Sequence, residues 1–347
     1  MNNTDQSAMT PQKNNLWKQV LAFVFAIVLL WLAFRGTDFA TVWGYAKTAN
    51  PIFLVLTLLS AIISHLLRAI RWVYMLEPVA GRKVTLFNSF SAVIIGYAVN
   101  VAIPRGGEVA RLISISRSER IPWAGVLPTM FIDRMLDIAM LGLLLGMTLS
   151  SLPKEIIEKF PLLVPGGAAL AVASVLGLLV LPWVGDLIRK IIAIPHVSTK
   201  APSHLLEKIE QLAEQFAAGT KSMTNPKTLP IIALLTPLIW FFYWLNYYLV
   251  AYAFDLQSKV SPLQCLIVFT VGSVGVLVPT PGSVGSTHFL ISHGLMATSG
   301  VNQELALAYA SVCHLCCFIV AVCIPAAICV AFQARAAKTS KRTAQSS

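Results

Sequence analysis

Charged side chains are scarce: Asp, Glu, Lys and Arg make up 12% of the 347 residues, about half the ~25% of an average soluble domain. Too little polar coat remains for a sizeable soluble domain. Acidic groups are scarcer still, 15 against 26 Lys and Arg, for a net charge of +11. A disulfide framework is also missing. Five of the six cysteines (Cys313, Cys316, Cys317, Cys323, Cys329) fall in one apolar run, where thiols pack as small, weakly polar residues. Cys313, Cys316 and His314 make an incomplete metal spacing, and helix packing is the expected role for them. No Walker loop, zinc-type His-Glu-His spacing or nucleophile elbow occurs. Gly282-Ser283-Val284-Gly285 lacks the elbow's order and its strand context. Neither a cofactor nor a metal is expected, and nothing marks the chain as an enzyme.

What is abundant is hydrocarbon. Apolar residues are 56% of the chain and mean hydropathy is +0.73. Apolar stretches of about 20 residues recur, the length that spans a ~30 Å hydrocarbon layer. The Lys and Arg residues sit in blocks beside these stretches, which is positive-inside charge placement and speaks against nucleic acid as a partner. The first 15 residues are polar, and no small-residue cleavage site precedes Arg35, so a secretory signal peptide is not expected.

The expected fold is all-α and polytopic, with about eight hydrophobic segments. Residues 1–15 and 335–347 read as polar and basic tails around a membrane domain over 16–334. Spans are expected at 17–34, 51–75, 124–150, 162–181, 229–254 and 305–332. Two further segments, 86–116 and 263–296, are each broken by proline and glycine. The linker 185–228 holds a stretch that Ser203 can cap, with Leu205, Ile209, Leu212 and Phe216 on one face: an amphipathic helix.

The two breaks resemble each other. Val101 to Val109 can be laid on Val276 to Val284 with Pro104 on Pro279, Gly107 on Gly282 and valine on valine. Each leads to a long span, giving a first repeat over 86–150 and a second over 263–332. If all eight segments cross and the C-terminal tail is inside, the loop with Arg105, Arg111, Arg117 and Arg120 falls outside, against the positive-inside rule. If both broken segments dip in and return, six spans remain, the basic loops 68–85, 117–123 and 183–228 face the cytoplasm with both termini, and loops 152–161 and 255–261 face outward. The hairpins then enter from opposite faces as an inverted repeat of re-entrant helices. Irregular backbone at that depth must be buried in protein or line a cavity.

Several polar residues lie where lipid would exclude them. Asp133 and Asp137 share a helix face inside the 124–150 span, with Arg134 about 100° round. Such charges must pair or face water, either as an internal salt bridge or as the lining of a headgroup path or proton site. Arg105, Glu108 and Arg111 flank the turn Pro104-Arg105-Gly106-Gly107. A glycine-rich turn opening a helix suits phosphate; a tight turn with a Glu–Arg pair is the alternative. His65, Arg68 and Trp72 share a face with Arg71 beside them, as an interfacial anchor or a lipid-phosphate contact. Asn100 and His288 lie near the breaks and can line the same path or make core hydrogen bonds; His293 and His314 carry less signal. Pro279, Pro281, Gly282 and Gly285 form the second broken turn.

Arg68-Ala69-Ile70-Arg71-Trp72, Asn100 with Pro104-Arg105-Gly106-Gly107-Glu108-Val109-Ala110-Arg111, Asp133-Arg134-Met135-Leu136-Asp137 and Pro279-Thr280-Pro281-Gly282-Ser283-Val284-Gly285 occur in that order. Together they resemble the lysylphosphatidylglycerol synthase transmembrane family, the flippase-like domain proteins, over roughly residues 15–335. The resemblance implies movement of lipids between leaflets of a bacterial inner membrane, with anionic phospholipid or polyprenyl-phosphate-linked lipid as partner. The family's aminoacyl transferase activity resides in a soluble domain that is not expected here. Asp133 and His288 each stand where many members carry Glu. The expected site is a set of lipid-phosphate arginines (Arg68, Arg71, Arg105, Arg111), with a polar path of Asn100, Glu108, Asp133, Arg134, Asp137 and His288. The alternative is a non-transporting scaffold or accessory subunit for a lipid-modifying or glycosyl-transferring enzyme; in either case a homo-oligomer is compatible with the sequence. An enzyme acting on lipid-linked substrates through Glu108 or Asp133 is the third.

Overall fold

The computed structural model describes residues 16–148, 154–159, 161–192 and 203–346. The polar tail expected over 1–15 and the linker residues 193–202 lie outside them. All regular structure among the described residues is helical. In chain order the helices are α1 Leu16–Phe34, α2 Phe39–Thr48, α3 Pro51–Ala80, α4 Leu86–Ala102, α5 Gly106–Glu119, α6 Trp123–Thr148, α7 Lys154–Lys159 and α8 Leu163–Ile192. Then follow α9 Ser203–Thr220, α10 Leu229–Ala253, α11 Pro262–Gly275, α12 Ser286–Ser299, α13 Gln303–His314 and α14 Ala321–Ser346.

The all-α polytopic class follows from length and apolarity. α3, α10 and the run Gln303–Arg335 are each long and apolar enough to cross a membrane; counting the bent pairs α1–α2 and the two halves of α8 makes up to five. α6 has 26 residues, about 39 Å at ~1.5 Å per residue, but carries Asp133, Arg134 and Asp137. The broken segments are shorter. α4 has 17 residues and α5, α11 and α12 have 14 each, about 26 Å and 21 Å against a ~30 Å hydrocarbon layer.

Each broken segment folds back on itself. α4 packs along α5, and α11 along α12. Glycine makes the first approach possible: a Cβ on Gly107 would stand 1.9 Å from the Gly96 carbonyl oxygen. In the second hairpin the Ser286 hydroxyl donates to the Gly275 carbonyl at 2.8 Å. The tips touch one another, since a Cβ on Gly282 would lie 3.5 Å from Val101 Cα.

Helix boundaries differ from the sequence reading in several places. α2 was not anticipated; Asp38 caps it, accepting from the Ala40 and Thr41 amides, and it leaves α1 at 84°. α3 runs on to Ala80, where Gly81 adopts a left-handed φ of 65° and ends it. The final span is interrupted by a π turn at Leu315–Val320. Pro325 follows, and its ring crowds the carbonyl four residues earlier, a usual cause of a kink or bulge. The helix then continues through the basic tail to Ser346. The breaks themselves are unequal: residues 103–105 separate α4 from α5, but 276–285 separate α11 from α12. Gly107 lies in the first turn of α5, whereas Gly282 (φ 56°) belongs to a short 3-10 turn ahead of α12. The register that pairs Gly107 with Gly282 therefore fails beyond the prolines.

Candidate functional site

Two helices bring paired charges face to face. On α3, Arg68 and Arg71 are three residues apart; on α6, Asp133 and Asp137 are four apart, so each pair shares one helix face. Arg68 Nη1 lies 2.9 Å from Asp133 Oδ2 and 2.8 Å from Asp137 Oδ2. Arg71 Nη2 lies 2.6 Å from Asp133 Oδ1 and 3.1 Å from Asp137 Oδ1. α5 contributes a third cation, with Arg111 Nη1 2.8 Å from Asp133 Oδ2. Asp133 thus accepts from three guanidinium groups.

Neighbours that the sequence did not point to complete the shell. Tyr243 and Thr236, both on α10, accept from Arg68 Nε at 3.1 Å and Arg71 Nη1 at 2.9 Å. The Arg111 guanidinium sits 3.7 Å over the Trp72 ring, a cation–π contact. Trp72 Nε1 in turn donates to Thr129 at 2.9 Å. Tyrosine and threonine inside an apolar helix are unremarkable in sequence, so no local signal marked these partners.

The cluster is packed shut. Asp133 and Arg71 are 0% exposed and Arg68 and Arg111 2%, where the sequence led us to expect charges beside a polar hollow. Opposite charges that neutralise each other need no water, and this is what lets the helices close. Neutralisation is nevertheless incomplete. Three guanidinium groups face two carboxylates, and Arg71 Nε with Arg111 Nε and Nη2 find no hydrogen-bond partner. Beside this core, Arg134 Nη2 pairs with Glu108 Oε1 at 2.9 Å, both side chains 38% exposed. That ion pair is neutral and leaves the excess of one positive charge in place.

A profile of the lysylphosphatidylglycerol synthase TM region matches residues 19–324. The chain belongs to this family. No curated protein and no solved structure matches it. For this family member a multi-pass membrane protein of the flippase-like type is the reading that match and helices share.

The remaining expected residues fall in three places. Asn100 is structural in the first tip, its Oδ1 accepting from the Gly107 amide at 2.8 Å. Arg105 is exposed and caps α5 with a left-handed φ of 60°, apart from the buried cluster. With Gly106 N–H donating to the Ile103 carbonyl at 3.0 Å and Gly107 N–H to Asn100, the α5 N-terminus offers an anion two donors fewer than the glycine-rich turn promised. His288 lies at the second tip, its ring centroid 4.7 Å from that of His314, and His314 Nε2 donates to the Gly282 carbonyl at 2.7 Å. His65 is buried against Tyr97, with both ring nitrogens unpartnered.

A second polar network, at the far end of α5, was not foreseen. Glu119 accepts from Arg82 at 2.8 Å, Asn88 at 2.6 Å and the Thr85 amide at 3.1 Å. Burial works to raise its carboxyl pKa, but the hydrogen bonds from Asn88, Arg82 and Thr85 prevail and hold it below the usual range. It borders a hollow of about 460 Å³ lined by Arg82, Ser118, Arg120 and Pro122. Arg68 and Arg71, counted above among the basic loop charges, are buried and ion-paired. The positive-inside bias then rests on Arg82, Lys83, Arg117, Arg120, the linker and the tail.

Proposed function

We propose that the chain moves an anionic lipid, a phospholipid or a polyprenyl-phosphate-linked lipid, between the leaflets of a bacterial inner membrane, with Arg111 and Arg71 receiving its phosphate. The observation that carries this reading is the charge count of the buried cluster: three arginines against two aspartates, with donors of Arg111 and Arg71 left over. An uncompensated buried cation is costly, and a fold that retains one is poised for an anion. A singly charged phosphodiester would balance the cluster. Charge-assisted hydrogen bonds from a planar guanidinium fit phosphate oxygens well.

The transport half of the proposal draws on shape. Four short helices form two hairpins whose tips meet, the arrangement that in secondary transporters puts broken helix ends at a central site. In this reading residues 16–334 are the transport domain, α4–α5 enters from the cytoplasmic face, α11–α12 enters from outside, and both termini are cytoplasmic. Asp133 and Asp137 hold the arginines in place between substrates, and Asp133 releases Arg111 when a phosphate arrives.

Reconstitution of the purified protein in liposomes with a fluorescent phosphatidylglycerol tests this. Wild-type protein moves the probe between leaflets, and Arg111→Gln slows it by about tenfold or more, the worth of one charged hydrogen bond of ~1.5 kcal/mol. Absence of movement for both phosphatidylglycerol and a polyprenyl phosphate with folded wild-type protein would sink the proposal.

A further inference from the structure

The second half of the chain carries a pair whose equivalence to Glu108–Arg134 is visible only from helix boundaries. One constant shift takes both ends of α5, Gly106–Glu119, onto both ends of α12, Ser286–Ser299. The same shift takes the first residue of α6, Trp123, onto the first residue of α13, Gln303. The caps correspond too. Arg105 (φ 60°) falls on Gly285 (φ 84°) before the short helix, and Arg120 (φ 52°) falls on Gly300 (φ 64°) after it. Arg120 and Gly300 share the left-handed helical conformation, whereas Gly285 has positive φ like Arg105 but a different ψ (−58° against 3°). Positive φ is rare outside glycine, so the cap after each short helix is the stronger match.

Carried into the side chains, the shift lays Glu108 on His288 and Arg134 on His314. Both pairs are in contact: Glu108 Oε1 with Arg134 Nη2 at 2.9 Å, and His288 with His314 at a ring separation of 4.7 Å. Elsewhere the second copy has lost its ions. Asp133 falls on Cys313, Asp137 on Cys317 and Arg111 on Ile291, all packed in or against one apolar cluster with Tyr247. Of the ionised positions on these two helices in the first copy that reach the cluster, only the tip pair keeps hydrogen-bonding groups in ring form.

The two pairs also differ in burial. Glu108 and Arg134 have more than a third of their side-chain surface exposed, and for ions that surface must meet water or headgroups. His288 and His314 are 7% and 5% exposed, and His288 Nδ1 has no partner. Among the described residues no Asp or Glu pairs with either histidine, although α7, which packs on α12, carries the exposed Glu158. α4, α11 and the turn Pro281–Ser283 hold no Asp, Glu, Lys or Arg, α12 adds only His293, and α13 adds Glu304, about 15 Å along the helix from His314. On α1 the described side chains bring Phe34 against His288.

We propose that His288 and His314 are the second repeat's equivalent of the Glu108–Arg134 pair, and that the two pairs gate opposite sides of the central site where the tips meet. The structure then represents the state open at the first pair and closed at the second. Exchange of roles between the repeats gives the other state, with the ion pair buried and the histidines wet. The gating half of this inference rests on the transport reading; the equivalence of the pairs does not.

The test has two arms. His288→Glu, His314→Arg and the double variant are compared as monodisperse protein recovered in detergent. Each single change lowers recovery severalfold, by placing one ion in a site with no partner, and the double variant restores it toward wild type by recreating the first pair. A double variant no better than the worse single one overturns the equivalence. In the second arm, Glu108→Cys and Arg134→Cys in a cysteine-free chain are joined by a short bis-methanethiosulfonate linker, and histidine accessibility is read by diethyl pyrocarbonate labelling and mass spectrometry. His288 and His314 are protected before linking and become labelled after it. Unchanged protection overturns the gating. If both arms succeed and no lipid moves in liposomes, the transport reading fails while the paired gates stand.

Discussion

Asp133 receives Arg68, Arg71 and Arg111 within 2.6 to 2.9 Å while having no exposed surface, so it is the group on which the buried cluster turns. Asp133→Asn keeps the shape and removes the charge, leaving three guanidinium groups against Asp137 alone. Breaking a buried ionic contact from one side costs about 3–5 kcal/mol. Thermal unfolding in detergent is expected to show a large loss of stability, and an unchanged midpoint would mean that the cluster is not held by charge. Each of these ions was conspicuous in the sequence, because a charge inside an apolar run stands out. Their partnership was not, because Asp133 and its arginines are separated by 22 to 65 residues along the chain. Tyr243 and Thr236 left no trace at all, since their residue types are ordinary where they stand.

Among the elements, the α4–α5 hairpin shows most clearly what a pattern of apolar residues conveys and what it misses. The proline and the glycines located the break at 104–107. The sequence places both glycines in the turn, but α5 already begins at Gly106, because the glycines are there to let two backbones meet rather than to end a helix. With a Cβ on Gly107 aimed at the Gly96 oxygen from 1.9 Å, Gly107→Ala must force the hairpin apart. The expected loss is about 1–3 kcal/mol, the usual cost of overpacking. Gly146→Ala, with nothing within 4 Å of the added carbon, is the control and is expected to be neutral or slightly stabilising on helix propensity. Equal melting temperatures for the two variants would refute the close-approach account. α2 escaped the sequence reading for a different reason. Its ten residues include Gly44 and Lys47, which break the apolar run, and a helix that short is specified by its Asp38 cap and by contacts with α13 formed only on folding.

For the molecule as a whole, membrane class was legible from composition alone, while topology depended on which charges are free to be counted. Burial of Arg68 and Arg71 removes two cations from the topological tally, yet Arg82, Lys83, Arg117 and Arg120 still place the α5–α6 connection on the basic side. The central claim is that the two hairpins enter from opposite faces. Single cysteines at Ser118 and Ser258, both exposed, in a cysteine-free chain test it with a membrane-impermeant maleimide applied to intact cells. The account predicts that position 258 is labelled directly and position 118 only after the membrane is permeabilised; labelling of both from the same side would contradict it.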